Sequence, residues 1–473
     1  MEIIYKKINF DASRCRVAVL AIALGVLSAL PSVAQQRPVV QTKFTADPAP
    51  LVEGDTVYLF TSHDADDAPA GNAAFRMRDW LLYTSTDMVN WQERGTVADL
   101  TAFGWLRSDE QKNGAWAIQV VKRHGRYFLY APIHMHGIGV LTSTSLYGPW
   151  TDPIGKPLVG SNFDSIDPTV LIDDDGQAYL YWGNPNLWHA RLNDDMVSLA
   201  EEPQKDRVIC RDSLARKFDY QEGPWAFKRG SKYYMAYAST CCPEGIGWAW
   251  SDKPFDHWQY GGTIMNHDGR SNGNHPGIIN YKGKDYCFGF DYYLNYKLDS
   301  LQHERRSVCL TELHFNADGS IIQCPYWEEG KPVEPTATFD PFRKVEAETM
   351  AWSQGLKTQY ELAGVEHPLA WQHPRIVVSD IDEGDYLMLR NVDFGSRPAK
   401  QLLACLRGNA GSVEFRVDSL NGPLLAQVSV KGGKGDGYLT LKNKVKARVT
   451  GTHDLYLVFH GKGFTLDWWQ LKR

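Results

Sequence analysis

The chain has 473 residues, of which 22% are charged and 12% aromatic, with a net charge of −6 and a pI near 6.2. This acidic balance excludes a nucleic-acid surface, which is usually strongly basic, and the 41 glycines and 24 prolines are too dispersed for a collagen-like or low-complexity chain. At about 150 residues per domain, the length predicts two or three domains.

The first element is an address. Lys6, Lys7, Arg14 and Arg16 precede an apolar run from Val17 to Leu30, and Pro31-Ser32-Val33-Ala34 follows. The run is short for a bilayer span and fits a signal-peptide core, with small residues placed for cleavage after Ala34. We therefore expect residues 1–34 to be a signal peptide and the mature chain to be exported, periplasmic or secreted, with no membrane span. Seven cysteines remain beyond Cys15, an odd number that leaves at least one unpaired unless it bonds another molecule. The adjacent Cys241 and Cys242 read equally well as a vicinal disulfide or as two thiols.

From about residue 40 to 330 the sequence repeats. A glycine turn precedes a Tyr/Phe-rich strand at Gly54, Gly125, Gly176, Gly230 and Gly283. Several units continue through a third strand to a Ser and then a Trp, as from Ser85 to Trp91, Ser143 to Trp150 and Ser251 to Trp258. Units of about 50–70 residues with about four short strands each predict propeller blades, five in number. The longest interval, between Gly54 and Gly125, predicts an insertion in the first blade, placed at His63–Trp80. After Pro332-Val333-Glu334-Pro335 the texture changes. Residues 343–473 show alternating strands and have the size of one β-sandwich. The predicted fold class is all-β: a five-bladed β-propeller followed by a β-sandwich (jelly-roll) module.

In a propeller the first strand of each blade lines the axis. The residues leading those strands are Asp47-Pro48, Trp116-Ala117, Asp167-Pro168, Glu222-Gly223-Pro224 and His275-Pro276, at nearly the same offset from the following glycine. Equal register places three carboxylates, a Trp and a His at one height in one funnel, with proline holding the chain extended. Clustered carboxylates repel and, when desolvated, take raised pKa values, so such a cluster points to chemistry. Glycoside hydrolysis needs two carboxylates, and a third can keep the acid protonated. Residue spacing does not distinguish inversion from retention.

These residues, with Asp173-Asp174-Asp175-Gly176, Tyr181-Trp182-Gly183-Asn184-Pro185-Asn186-Leu187-Trp188 and Asn274-His275-Pro276-Gly277, resemble family 43 of the glycoside hydrolases over about 290 residues. The resemblance implies an inverting mechanism with Asp47 as general base, Glu222 as general acid and Asp167 as the residue that tunes and orients Glu222. It implies pentose substrates, α-L-arabinofuranosyl or β-D-xylosyl groups on arabinoxylan-type hemicellulose, and no cofactor for catalysis. The sister fructan-cleaving families carry Arg-Asp-Pro and Glu-Cys where this chain has Ile166-Asp167-Pro168 and Glu222-Gly223, which argues against fructans. Trp116 would wall the sugar pocket, although Ile118 replaces the family's proline two residues on and a core Trp is the plainer reading. His275 would either flank a cation in the propeller axis or hydrogen-bond the base or the sugar. Arg306 would contact the sugar or the tuning carboxylate, with a surface arginine as the plainer reading, and His63 would reach toward the pocket.

The C-terminal segment resembles a family 6 carbohydrate-binding module through Val345-Glu346-Ala347-Glu348, Ile381-Asp382-Glu383-Gly384-Asp385-Tyr386 and Leu466-Asp467-Trp468. The resemblance implies a structural Ca²⁺ held by Glu346, Glu348 and Asp467. Thr465 replaces the usual Asn, and the segment Lys434-Gly435-Asp436-Gly437-Tyr438 carries a Tyr where the family brings a stacking Trp, so the usual sugar cleft is expected to be weakened or lost. The leading expectation is an exported glycosidase acting on an oligo- or polysaccharide. A catalytically silent carbohydrate-binding protein, an endo-arabinanase and a galactan-cleaving hydrolase are the alternatives. The sequence does not specify an oligomeric state.

Overall fold

The computed structural model describes residues 38–71, 74–210, 218–361, 368–432 and 437–473. The expected signal peptide and residues 434–436 of the module's loop lie outside the described residues. Among the described residues, no helix is long and apolar enough to cross a membrane.

Five antiparallel sheets follow one another in sequence. The first blade comprises Phe44–Glu53, Thr56–Asp64, Asp79–Ser85 and Trp91–Asp99, and the second Gln119–Arg123, Arg126–Ile133 and Gly137–Ser143. Blades three to five begin with Thr169–Ile172, Tyr220–Arg229 and Gly277–Tyr281. These innermost strands touch in ring order, and the first meets the last, which closes a five-bladed propeller. Closure is reinforced where the chain enters: Val39 N–H donates to the Val308 carbonyl at 2.7 Å and Thr45 N–H to the Arg306 carbonyl at 3.0 Å. The Tyr/Phe runs of the second strands are buried between neighbouring sheets, as their β-rich aromatic composition requires. The serines of the repeat end the third strands at Ser85, Ser143 and Ser251. The extra length of the first repeat is divided between the 65–78 connection and a crossing to the second blade that carries two short 3₁₀ turns at Leu100–Ala102 and Glu110–Lys112.

The C-terminal module is two packed sheets. One orders Lys357–Glu361, Arg375–Ser379, Phe464–Lys472, Gln401–Gly408 and Leu439–Lys444; the other orders Trp352–Gln354, Tyr386–Asp393, Thr452–Gly461, Ala410–Val417 and Leu424–Lys431. Trp469, Phe415, Phe459 and Leu457 fill the space between them. Val345 pairs with Trp469, so the module's first and last strands are neighbours.

The module docks by strand addition. Thr349–Met350 pairs antiparallel with the outer edge of the first blade, Thr349 opposite Gln92 and Met350 opposite Trp91. This covers a sheet edge that would otherwise present unpaired backbone groups. Beside it, Glu93 is buried, accepts hydrogen bonds from Thr358 Oγ1 (2.6 Å) and Tyr360 OH (2.8 Å), and forms an ion pair with Lys43 Nζ (3.2 Å). Asn90 and the Arg390 backbone exchange two hydrogen bonds of 2.9 Å each.

Candidate active site

The three acids lead the inner strands of blades one, three and four, and each sits at a break in ladder pairing. The register of the first strand shifts between Ala46 and Ala49, and that of the fourth blade between Glu222 and Trp225. At these breaks Asp47 (φ 48°), Asp167 (φ 56°) and Gly223 (φ 59°) are left-handed rather than extended, which corrects the expectation that the following proline keeps the chain straight. The break takes these residues out of the alternating pleat that would otherwise fix where each side chain points.

Arg306, from the fifth blade, organises the base side. It is only 6% exposed. Its Nε and Nη2 bind the two oxygens of Asp64 at 2.9 Å each, and its Nη1 donates to Asp47 Oδ1 at 2.8 Å. Phe75 and Phe290 lie 4.9 and 5.0 Å from the guanidinium, so cation–π contact adds to the charge pairs. Arg306 therefore sits against Asp47 and Asp64, not against Asp167. Asp47 Oδ2 has no partner among the described residues.

On the acid side, Asn184 donates to Glu222 Oε2, and Gln221 donates to Asn184 Oδ1 at 3.2 Å. Burial, and then the charge of Asp47, push the Glu222 carboxyl up to about 7 against the opposing pull of Asn184 and Arg306. Asp167 is raised well above the usual carboxylate range by burial first and by the Glu222 and Asp47 charges next. Charge on either of this pair disfavours charge on the other, so together they retain a proton near neutral pH. Asp167 Oδ2 accepts the Gly223 N–H at 2.9 Å.

His275 is buried beside both acids, its Nδ1 3.9 Å from Asp47 Oδ1 and 4.0 Å from Asp167 Oδ2, too long for direct hydrogen bonds. Burial lowers its pKa, so the ring is neutral at pH 7. Trp116 is half-buried and stacks on His134 at 4.2 Å, with Phe75 6.0 Å away. This joins it to the rings around Arg306. His63 is not brought to the funnel. Neighbouring residues on a strand point to opposite faces: Asp64 meets Arg306, whereas His63 Nδ1 lies 2.7 Å from Asp79 Oδ1. Burial opposes protonation of His63, but the Asp79 carboxylate outweighs it and raises the ring above its ordinary value.

Sequence reasoning missed Glu244. It lies between the second and third strands of blade four, is buried, and accepts the Asn274 N–H at 2.9 Å next to His275. Burial and the Glu222 charge raise its pKa well above normal. Its carboxylate lies within 4.8 Å of the sulfurs of Cys241 and Cys242, which are joined as a vicinal disulfide. The other described cysteines, Cys210, Cys287, Cys309, Cys324 and Cys405, are free thiols.

Among the described residues, one further group brings three ligand atoms within 4.8 Å, His189 with Asp206 and Asp256. Asp206 is already occupied by four N–H donors, from Val208, Ile209, Asp256 and the Trp258 indole, so it offers little to a cation. Glu346, Glu348 and Asp467 do not converge to that distance, but all three line one cavity of about 540 Å³. Glu348 is buried there with Oε2 unpartnered, and Gln92 of the first blade donates to its Oε1 at 3.1 Å. A buried orphan carboxylate oxygen fits a hard cation such as Ca²⁺, while Glu346 and Asp467 are each paired with a cation lining the same cavity, Lys344 Nζ at 2.8 Å and Arg375 Nε at 3.6 Å. Where the sugar cleft usual for the module was expected, Tyr438 has Arg375 and Arg407 over its ring at 4.5 and 4.9 Å, and its hydroxyl donates to Glu361 at 2.7 Å. The ring is thus engaged by guanidinium groups rather than left bare for a sugar.

Residues 35–321 match the model of glycosyl hydrolases family 43, and residues 346–473 that of carbohydrate binding module family 6. An arabinoxylan arabinofuranohydrolase of Paenibacillus polymyxa is 31% identical over 92% of this chain and 74% of its own length. A xylosidase/arabinosidase of Bacteroides ovatus is 29% identical over 61% of this chain and 97% of its own length. The crystal structure of a Bacillus subtilis family 43 arabinoxylan arabinofuranohydrolase in complex with cellotetraose superposes with a TM-score of 0.77 at 27% identity, covering 94% of this chain and 98% of that one.

Proposed function

The chain belongs to glycosyl hydrolase family 43, with a C-terminal family 6 carbohydrate-binding module, and on that premise we propose that it is an exported, inverting glycosidase that removes α-L-arabinofuranosyl or β-D-xylosyl groups from arabinoxylan-type hemicellulose. The supporting observation is the division of labour between two carboxyls. Glu222, raised to about 7, still carries a proton near neutral pH. It gives that proton to the leaving glycosidic oxygen as the bond to the anomeric carbon breaks. Asp47, fixed at Oδ1 by Arg306, accepts at Oδ2 a proton from the water that attacks the opposite face of the sugar. Asp167 orients the acid through the Gly223 N–H and shares the pair's proton. Trp116 walls the sugar pocket, and His275, neutral, faces it from the fifth blade.

Acid and base of this kind need no catalytic cofactor. Glu346, Glu348 and Asp467 would hold a structural Ca²⁺ in the module, which offsets the repulsion of three carboxylates and ties the module's two ends together. Export rests on the N-terminal basic-then-apolar segment.

The test is hydrolysis of aryl α-L-arabinofuranoside and aryl β-D-xyloside by the chain from Gln35 onward, with Asp47→Asn alongside. We expect turnover of at least one substrate, abolished in the variant, with the product released in the inverted anomeric form by NMR. Turnover that survives in Asp47→Asn would overturn the assignment, and a retained anomer would overturn the mechanism.

A further inference from the structure

The sandwich module carries a groove of about 940 Å³, set on the sheet at the opposite ends of its strands from Tyr438 and Thr465. Lys442, Lys444, Lys446 and Arg448 supply one wall, Arg397 and Lys400 the other, and the C-terminal Arg473 also lines it. No Asp or Glu lines the groove. Among the described residues, none of these seven cations has a carboxylate within 4.0 Å, although the chain as a whole is net negative.

Lysines on an edge strand commonly guard against edge-to-edge pairing. That accounts for Lys442 and Lys444, which project from the same side of the edge strand about 7 Å apart. It does not account for Arg397 and Lys400, which line the same concavity from another segment and repel the lysines there, or for Arg473, which also lines it while its guanidinium lies 4.1 Å from the Phe342 ring. The frame is fixed by backbone hydrogen bonds: Val445 N–H to the Lys400 carbonyl at 2.9 Å, Lys446 N–H to the Leu425 carbonyl at 2.7 Å, and Lys400 N–H to the Lys472 carbonyl at 2.8 Å. Lys442 and Lys444 thus stand on the edge strand, and the other cations on segments tied to the sheet by these bonds, around a floor of Ala399 and Val445, both buried. A concave wall of one sign concentrates field and attracts an oppositely charged ligand.

We propose that this groove is a second polysaccharide-binding site, which holds the uronic-acid carboxylates of an acidic hemicellulose chain. The inference rests on the reading of the protein as hemicellulose-directed but on none of the catalytic assignments. The groove has no aromatic ring among its lining residues. Binding there comes from charge, and it is selective for carboxylate-bearing over neutral chains and sensitive to salt.

The experiment uses the whole chain from Gln35 onward in gels containing glucuronoxylan, or the same polymer with its carboxyls reduced to alcohols, with mobility normalised to a polymer-free gel. We expect retardation by glucuronoxylan at about 20 mM salt that weakens about tenfold at about 0.3 M salt, where the screening length is a few ångström. The reduced polymer should not retard the protein. The triple variant Lys442→Gln, Lys444→Gln, Lys446→Gln should lose most of the retardation while its hydrolysis of aryl glycosides is unchanged. Equal retardation by both polymers overturns the proposal, as does undiminished binding by the triple variant. Binding to phosphatidylglycerol vesicles without binding to glucuronoxylan overturns it in favour of an anionic membrane surface. A chain that binds glucuronoxylan in this way but hydrolyses no aryl pentoside supports the groove and counts against the proposed function instead.

Discussion

Asp167 Oδ2 accepts the N–H of Gly223 at 2.9 Å, so an acid on the third blade holds the backbone beside the acid of the fourth. Gly223 is left-handed, and a Cβ there would stand 3.1 Å from His275 Nδ1, so the chain at this point is fixed from three blades at once. The contact separates two roles for Asp167. An asparagine keeps an oxygen that can accept the Gly223 N–H but cannot share a proton with Glu222. An alanine loses both. We expect Asp167→Ala to lower kcat about a thousandfold and Asp167→Asn about a hundredfold, with KM little changed in either. Steady-state kinetics on an arabinoxylan oligosaccharide decide it, and equal losses would mean that the hydrogen bond to Gly223 contributes nothing.

Glu222 must be protonated to act as the acid, and burial together with the Asp47 charge raises it to about 7. Activity on natural glycosides is therefore expected to fall as pH rises through about 7. The carboxyl then gives up its proton and can no longer donate it. Glu222→Gln should cost about a hundredfold or more on such substrates and far less on a dinitrophenyl glycoside, whose leaving group needs no proton. The descending limb near pH 7 should be absent in the variant. A limb that persists there belongs to another group.

How much of this could be read in the sequence depends on whether a feature repeats. The acids on the axis were legible because nearly the same offset from a turn glycine recurs in every blade, and near-equal offsets mean nearly equal height. His275 and Trp116 followed from the same register. Glu244 was not legible, because it lies on an outer connection after Cys241-Cys242-Pro243 that has no counterpart in the other blades. The left-handed conformation of Asp47 and Asp167 was hidden by the proline that follows each, since that residue favours the opposite expectation. His63 went astray by one position, which on a strand reverses the side chain's face. The docking strand Thr349–Met350 is two residues long and carries no periodic signal.

That docking strand bears on unfolding. Glu93 accepts hydrogen bonds from Thr358 and Tyr360 and pairs with Lys43, joining the propeller's entry to the module through one buried carboxylate. Domains coupled by a buried, paired charge should melt together. We expect a single calorimetric transition for the native chain. Glu93→Ala leaves Tyr360 without its acceptor and Lys43 without its buried counter-charge, and is expected to destabilise by about 3 kcal/mol or more, with the transition splitting in two. Two transitions already present in the native chain would show that this contact does not couple the units.

The same junction gives a measurement for the module's cation. Glu348 Oε2 is buried without a partner, and burial, followed by its carboxylate neighbours, raises its pKa well above normal. A cation there would satisfy that oxygen and screen Glu346 and Asp467, which line the same cavity. Because the cation binds only the folded module, its removal lowers stability by an amount set by its concentration relative to Kd, about 2.7 kcal/mol at a hundredfold excess. EDTA should therefore lower Tm, and Ca²⁺ should restore it. Glu348→Gln, which keeps the volume and removes the charge, should abolish the response while leaving turnover of aryl glycosides intact, since the acids of the funnel lie in the propeller. A Tm indifferent to EDTA in the native chain would mean that Gln92 and the surrounding structure stabilise Glu348 without a metal.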